Sequence, residues 1–205
     1  MTELSPRRET TLASYQRDAA AYAAGIPVDL PDELAGLMDS FVTLLPPSPS
    51  VLEIGSGSGR DALQLEQRGV VVRRTDITPA FVDLIRASGH AAHVLDPLRD
   101  DVGGPYDGVW ANAVLLHLAR DEVEPVLRRL RDAVHPGGAL CLTLKEGDGE
   151  AWSAHGHVTG PRHFTYWRPD PLAETVTSAG WSLESLSSRV AESGQPWLLA
   201  LATRP

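Results

Sequence analysis

Cysteine and basic residues are both scarce in this sequence. Cys141 is the single cysteine among 205 residues, which excludes an intrachain disulfide and a cysteine cluster for zinc or an iron–sulfur centre. The 18 Lys and Arg residues are outnumbered by 27 Asp and Glu residues, and the resulting net charge of -9 opposes binding to a phosphate backbone. We therefore expect no nucleic-acid partner and a reducing, cytoplasmic environment.

Long apolar runs are missing as well. No stretch reaches the roughly 18 consecutive apolar residues that a membrane-spanning helix needs. Residues 1–10 mix charges of both signs and lack the apolar segment of a signal peptide. We expect no membrane partner. With 42% hydrophobic residues, a chain of this length suits a single domain over 1–205 with a sizeable core.

Strand and helix patterns alternate through the middle of the chain, over 50–145. Short β-rich runs occur at 51–54, 70–75, 92–95, 106–111 and 139–144. Helical spacing is clear at 61–68, 79–88 and 121–134. Because apolar runs joined by helices are typical of parallel strands buried on both faces, the sequence predicts a doubly wound, mostly parallel α/β sheet.

Two segments flank this core. Helical spacing over 11–24 and 31–45 predicts an N-terminal helical cap, 1–46, that covers the site. The segment 146–205 starts as a polar, glycine-rich loop, interpreted as a lid, and continues with a short helix and two strands. These strands bring the predicted total to seven and could pair antiparallel at the sheet edge. His135-Pro-Gly-Gly138 predicts a helix stop followed by a turn.

A glycine-rich turn follows the first predicted strand. Gly55, Gly57 and Gly59 lie between the apolar run 51–54 and the helix 61–68, where they allow a tight turn and close approach of a ligand to the backbone. A merely flexible turn is the alternative. The third glycine comes one residue early for the dinucleotide pattern, and no lysine follows for a nucleoside triphosphate.

Three acids end three successive predicted strands. Glu53, Asp76 and Asp96 should converge at the carboxyl edge of the sheet, where such folds bind ligands, although each could be a solvated loop acid. Asp76 is placed to reach a ribose diol. Glu53 puts negative charge at the turn, which disfavours a pyrophosphate and favours a nucleoside whose amino-acid tail brings an ammonium.

With these motifs assembled, the chain resembles the class I S-adenosylmethionine-dependent methyltransferases over nearly its whole length. The motifs that carry the resemblance are Glu53-Ile-Gly-Ser-Gly-Ser-Gly59, Thr75-Asp76, Tyr106-Asp107-Gly-Val-Trp-Ala-Asn112 and His135-Pro-Gly-Gly138. Three further segments are similar to bacterial small-molecule methyltransferases: Asn112-Ala-Val-Leu-Leu-His-Leu118, Lys145-Glu-Gly-Asp-Gly-Glu150 and Arg162-His-Phe-Thr-Tyr166. The resemblance implies a Rossmann-like methyltransferase fold and S-adenosylmethionine as cofactor.

The resemblance also implies a set of cofactor contacts. Gly55 and Gly57 would pack against the methionine part above Glu53, and Asp76 would accept hydrogen bonds from the ribose. Ile77 would lie along the adenine and Asp96 would meet its amino group. Because Pro97 has no N–H, Leu98 or water would have to replace the backbone donor that relatives use on the adenine ring. The remaining residues expected at the cofactor are Tyr15, Tyr22, Ser56, Gly59, Arg60, Ala111 and Asn112. Core packing is the alternative for the two tyrosines.

The chemistry expected is alignment of a nucleophile with a sulfonium, aided by a base if the acceptor is a hydroxyl. His117 is the candidate base, since its ordinary pKa lies near neutrality. The alternative is a structural histidine that pairs with Arg120 or Asp121. Histidines 155, 157 and 163 lack a diagnostic metal spacing, so we expect no metal.

Three further residues are candidates for the acceptor pocket. Arg162 and Tyr166, beside Trp167, would suit a planar or acidic small molecule, and Lys145 ends the fifth predicted strand at the same edge. Alternatively, Arg162 pairs with Asp148 or Glu150 of the lid, and Lys145 forms a structural ion pair.

The sequence therefore predicts a methyltransferase that acts on oxygen or nitrogen of a small-molecule metabolite or natural product. A cofactor-binding protein without catalysis and a nicotinamide-dependent oxidoreductase are the alternatives.

Overall fold

The computed structural model describes residues 4–191 and 194–205; the first three residues of the predicted cap lie outside this part. The helices are α1 (Pro6–Gly25), α2 (Asp32–Thr43), α3 (Arg60–Glu66), α4 (Pro79–Ala87), α5 (Arg120–Asp132) and α6 (Pro169–Ser178), with a 3₁₀ turn at Leu115–His117. The strands are β1 (Ser50–Ile54), β2 (Val71–Asp76), β3 (Ala92–Val94), β4 (Tyr106–Asn112), β5 (Val134–Lys145), β6 (Glu150–His155), β7 (Val158–Thr165), β8 (Ser182–Val190) and β9 (Pro196–Thr203).

Seven strands form one sheet in the order β3-β2-β1-β4-β5-β9-β8. Strands β1 to β5 are parallel, which confirms the predicted doubly wound, Rossmann-like α/β fold. The strand that runs against the others is β9, which lies between β5 and the edge strand β8. The antiparallel strand therefore stands one position inside the edge.

The sheet is buried on both faces, as the apolar runs indicate. On one face, Val109 and Ala111 of β4 pack with Leu140 and Leu142 of β5. On the other face, Trp110 packs with Phe41 of α2. Successive residues of one strand thus pack into the cores on opposite faces of the sheet, which explains why the sequences of the parallel strands are continuously apolar.

The glycine-rich segment that the sequence presents as a loop is in fact an antiparallel hairpin, β6–β7, and we call residues 150–165 the lid hairpin. It forms because α1 supplies partners: the Ser14 hydroxyl donates to the Pro161 carbonyl, and the His163 N–H donates to the Thr11 hydroxyl. The hairpin is therefore bound to the N-terminal cap. Its polar sequence reflects an exposed outer face.

The predicted turn at His135-Pro-Gly-Gly138 is also wrong, because these residues lie within β5. Tyr106 pairs with Val134 whereas Gly108 pairs with Ala139, so the intervening residues bulge out of the β4–β5 pairing. The chain stays extended there because Arg204, just beyond β9, exchanges backbone hydrogen bonds with Gly137 and Gly138. In the described part of the chain, no helix combines the length and apolarity needed to cross a membrane.

Candidate active site

A cavity of about 1040 Å³ opens at the carboxyl ends of the parallel strands, beneath α1. Its volume lies at the upper end of the roughly 300–1,000 Å³ typical of small-molecule sites. Eleven of the residues selected from the sequence line it: Tyr15, Tyr22, Glu53, Gly55, Ser56, Gly57, Arg60, Asp76, Ile77, Asn112 and His117. The strand ends and the cap therefore meet where the sequence places the ligand.

The glycine turn takes the left-handed backbone conformation that glycine permits. Gly55, Gly57 and Gly59 have φ values of 75°, 52° and 80°. The N–H groups of Gly55 and Ser56 both donate to the Thr75 carbonyl at 2.9 Å, which fixes the turn against β2. A Cβ atom at Gly55 would lie 2.5 Å from Cγ2 of Val114, whereas one at Gly57 would lie 3.6 Å from the Tyr22 ring. The turn is therefore tight at Gly55 and open at Gly57.

We expect Gly55→Ala to destabilise the protein more than Gly57→Ala. The positive φ alone costs alanine about 1 kcal/mol at either position, and the contact with Val114 adds about 1 kcal/mol more at Gly55. Urea unfolding of the two variants measures the difference. Adding Val114→Gly to each variant is the control, because it removes both Cγ2 and Cβ of Val114, the latter 2.7 Å from the added atom, and should abolish the excess only for Gly55→Ala. An excess that survives this change would contradict the contact argument.

Asp76 is held at the end of β2 by two backbone donors. Its Oδ2 accepts from the Gly57 N–H at 2.9 Å and its Oδ1 accepts from the Thr78 N–H at 2.7 Å. Burial raises the pKa of this carboxyl, and the same two hydrogen bonds act in the opposite direction. Each oxygen accepts one of these bonds and keeps further lone-pair capacity at the cavity wall. Asp76 thus presents two fixed acceptors to a ligand.

Glu53 lies deeper, below the glycine turn. The Ser56 hydroxyl donates to its Oε2 at 2.5 Å and itself accepts from the Thr75 N–H at 3.0 Å. Burial, with a smaller contribution from nearby Asp61, raises the pKa of Glu53 to about 8. A cationic group bound next to it would favour its ionised form.

A polar network at the cavity floor was not anticipated from the sequence. The Asp61 carboxylate accepts from the side-chain N–H groups of Trp110 and Asn112 at 2.9 and 2.7 Å, and it pairs with Arg60 at 2.7 Å. The Asn112 amide oxygen accepts from the Thr143 hydroxyl. The only local signal was that Asp61 follows the glycine turn and Asn112 ends a strand. Both the nitrogen and the oxygen of the Asn112 side chain are therefore hydrogen-bonded within this network, which holds the turn after β4 in place.

His117 is held as a neutral imidazole. Its Nδ1 lies 2.7 Å from the His163 carbonyl, which can only accept, so Nδ1 carries the proton. Nε2 then accepts from the Tyr15 hydroxyl at 3.0 Å, and that hydroxyl accepts from Arg162 at 3.2 Å. Burial, together with the charges of Arg162 and Lys145, lowers the pKa of His117 to about 3. The expected alternative partners, Arg120 and Asp121, are not its hydrogen-bond partners among the described residues.

One oxygen of the Asp96 carboxylate is already engaged within the protein. Arg8 of α1 pairs with it at 2.7 Å, and the Leu98 N–H donates to the same oxygen at 3.0 Å. Leu98 therefore cannot supply the donor that Pro97 lacks, because its N–H is already used. The expected Leu98 contact is therefore wrong, whereas the contact between Asp96 and the adenine amino group stays a prediction. Leu95 and Pro97 line the cavity next to these two residues.

Five other predicted residues are not among those that line the cavity: Gly59, Ala111, Lys145, Arg162 and Tyr166. Tyr166 packs its ring beside Gly147, and its carbonyl accepts from Arg120. The ion pairs proposed for Arg162 and Lys145 are wrong in the described part of the chain, since Asp148 pairs with Arg168 and Glu150 pairs with Arg7 and His163. No cluster of three or more His, Cys, Asp or Glu side chains with metal-site geometry occurs among these described residues.

Comparison with known proteins gives results at the level of both sequence and fold. Residues 52–140 match a family model described as a methyltransferase domain. An uncharacterized methyltransferase of Mycobacterium bovis is 26% identical, and the match covers 87% of this chain and 81% of the relative.

Two solved structures share the fold. The 1,6-didemethyltoxoflavin-N1-methyltransferase of Burkholderia thailandensis, solved with 1,6-didemethyltoxoflavin and S-adenosylhomocysteine, is 22% identical with a TM-score of 0.71, covering 100% of this chain and 92% of its own. The 4+2 cyclase SpnF is 15% identical with a TM-score of 0.74, covering 100% and 98%. At such identities the likeness concerns the fold, which by itself does not decide the reaction.

Proposed function

Because the chain is a class I S-adenosylmethionine-dependent methyltransferase, we propose that it methylates an oxygen or nitrogen atom of a small molecule. The observation that carries the small-molecule assignment is the position of the cavity. It lies beneath α1, which is itself hydrogen-bonded to the lid hairpin. A ligand enclosed between α1 and the carboxyl ends of the strands must be small enough to enter between them.

The polar groups of the cavity fit the cofactor. Asp76 offers two acceptors for the two adjacent ribose hydroxyls, and the open space between Gly57 and Tyr22 admits a ligand against the backbone. Glu53 supplies an acid beneath the turn for the ammonium of the methionine part. When bound, the cofactor supplies an electrophilic methyl group on a sulfonium.

The protein's own part in the transfer is positioning and exclusion of water. The aromatic rings of Tyr15, Tyr22 and Phe81 contact one another at centroid distances of 5.4 to 5.9 Å and form an apolar wall. His117 stands beside this wall with Nε2 as a hydrogen-bond acceptor. We propose that an acceptor O–H or N–H replaces the Tyr15 hydroxyl at Nε2. Because burial lowers the pKa of His117 to about 3, the imidazole orients the acceptor through a hydrogen bond, and the proton that methylation displaces from the acceptor is released to solvent.

We expect His117→Ala to lower turnover by roughly tenfold while changing S-adenosylhomocysteine affinity by less than about twofold, the effect of losing one orienting hydrogen bond. Initial rates with saturating cofactor and calorimetry measure the two quantities. His135→Ala is the matched control, since His135 is exposed at the opposite end of β5. An unaltered rate would show that His117 has a structural role and does not orient the acceptor.

The proposed function is tested by presenting a panel of small hydroxyl- and amine-bearing compounds with labelled S-adenosylmethionine in single turnover. Transfer of label to a compound supports it. Binding of the cofactor without transfer to any compound supports the non-catalytic alternative. The methyltransferase assignment replaces the oxidoreductase alternative. We also propose a cytoplasmic location, in keeping with the free, buried Cys141.

A further inference from the structure

Two buried cations lie directly behind the cavity wall. Lys145 ends β5 and Arg162 lies on β7 of the lid hairpin, and these residues are only 7% and 5% exposed. Lys145 is also the single lysine of the chain; the other 17 basic residues are arginines. Buried Lys and Arg side chains are rare in proteins unless they are paired.

Neither cation has a carboxylate partner in the described part of the chain. The neighbouring acids are already used: Glu146 lies 3.7 Å from Arg168 and accepts from the Ser188 hydroxyl. Glu150, the acid of the lid hairpin, is paired with Arg7. The positive charge of Lys145 and Arg162 is therefore not neutralised by the protein around them.

The contacts that these cations do make are with neutral groups. Arg162 donates to the Tyr15 hydroxyl and to the His155 carbonyl, while its buried Nε has no hydrogen-bond partner. The Lys145 ammonium lies 3.9 Å from the centre of the Phe164 ring and 3.5 Å from Nε2 of His155. Burial and the charge of Arg162 lower the pKa of Lys145 to about 8, which is the response expected of two cations held together without an anion.

The cavity is one side chain away from both charges. Tyr15, the hydrogen-bond partner of Arg162, lines the cavity. Two cavity-lining residues lie near Lys145: Thr143 precedes it by two residues on β5, and the ring centre of Trp197 is 6.0 Å from its ammonium. An uncompensated buried charge is costly, and a ligand anion that neutralises it forms strong, charge-assisted hydrogen bonds.

We propose that the methyl acceptor carries a carboxylate and that Lys145 and Arg162 bind it beneath the lid hairpin. This inference rests on the proposed function, since it concerns the acceptor of the same site. The aromatic residues Tyr15, Phe164 and Trp197 around the two cations fit an acceptor whose carboxylate is attached to an apolar or aromatic body.

The test is binding of matched pairs that differ only in charge: benzoate with benzamide, salicylate with salicylamide, and indole-2-carboxylate with its amide. Calorimetry is performed with S-adenosylhomocysteine bound, in the parent, Lys145→Met and Arg162→Gln. In the parent we expect at least one carboxylate to bind roughly tenfold more tightly than its amide, the effect of one charge-assisted hydrogen bond. Each variant should lose most of this preference.

Arg128→Gln is the matched control, because Arg128 is an exposed arginine paired with Glu124 on α5, and it should keep the preference. If no carboxylate is favoured in the parent, or if the preference persists in both site variants, the inference is overturned. Retained binding of S-adenosylhomocysteine shows that a variant is folded. A parent that fails to bind S-adenosylhomocysteine at all would instead overturn the proposed function, so the two failures are distinguishable.

Discussion

Asp76→Ala is expected to weaken S-adenosylhomocysteine binding by about 1 to 3 kcal/mol, or roughly 5- to 150-fold, the range for hydrogen bonds to a charged group. The substitution removes both acceptors offered to the ribose. It also releases the N–H groups of Gly57 and Thr78, which Asp76 now holds at 2.9 and 2.7 Å. Isothermal calorimetry of the parent and the variant measures the loss.

Asp76→Asn separates the two contributions. It keeps the volume and one acceptor oxygen, so one backbone bond can persist and the affinity should fall between those of the parent and Asp76→Ala. Asp96→Asn is a useful comparison, because the Asp96 carboxylate pairs with Arg8 and should affect stability more than affinity. Unchanged affinity in a folded Asp76→Ala variant would show that the ribose assignment is wrong.

The fold could be predicted because its signals are local. The stripe of Val123, Val126, Leu127 and Leu130 on α5 follows helical spacing and is fully buried. The apolar runs of β1, β4 and β5 give the parallel sheet in the same way. Chain order then places Glu53 and Asp76 at the same edge, since parallel strands end together.

The parts that could not be predicted depend on contacts between distant segments. Asp96 lies at a strand end as expected, but Arg8, 88 residues away, pairs with its carboxylate. Thr143 meets Asn112 because the two are register partners on β5 and β4, and no local pattern specifies that register. The lid hairpin has polar, glycine-rich sequence and acquires its strands through contacts with α1. In each case the deciding interaction is tertiary.

Glu53→Gln is expected to stabilise the ligand-free protein at alkaline pH. Glu53 has its pKa raised from an ordinary 4.5 to about 8, so between these values the folded state binds a proton that the unfolded state does not. The free energy of unfolding of the parent therefore falls as the pH rises from 4.5 to 8, because the native carboxyl must ionise while buried near Asp61 and Asp76. Arg74 and the Ser56 hydroxyl offset this only in part.

A glutamine has no charge to bury, so the variant's advantage should be absent below pH 4.5 and reach its full size above pH 8. Above pH 8 we expect the free energy of unfolding of the variant to exceed that of the parent by about 2 to 4 kcal/mol. This is less than the full pKa shift of Glu53 implies, since the new amide also needs hydrogen-bond partners. Urea unfolding at pH 4 and pH 8.5 measures the gain. Equal gains at both values would show that the ionisation of Glu53 is not its source.

The same substitution should weaken cofactor binding, because the carboxylate beneath the turn is expected to face the cofactor's ammonium. S-adenosylhomocysteine carries that ammonium, whereas 5′-methylthioadenosine has the same nucleoside without the amino-acid tail. Glu53→Gln should therefore reduce the affinity for S-adenosylhomocysteine by roughly tenfold, the scale of one charge-assisted hydrogen bond, and leave that for methylthioadenosine nearly unchanged. An equal loss for both ligands would place the effect in the glycine turn, and a variant that gained stability without losing affinity would remove Glu53 from the site.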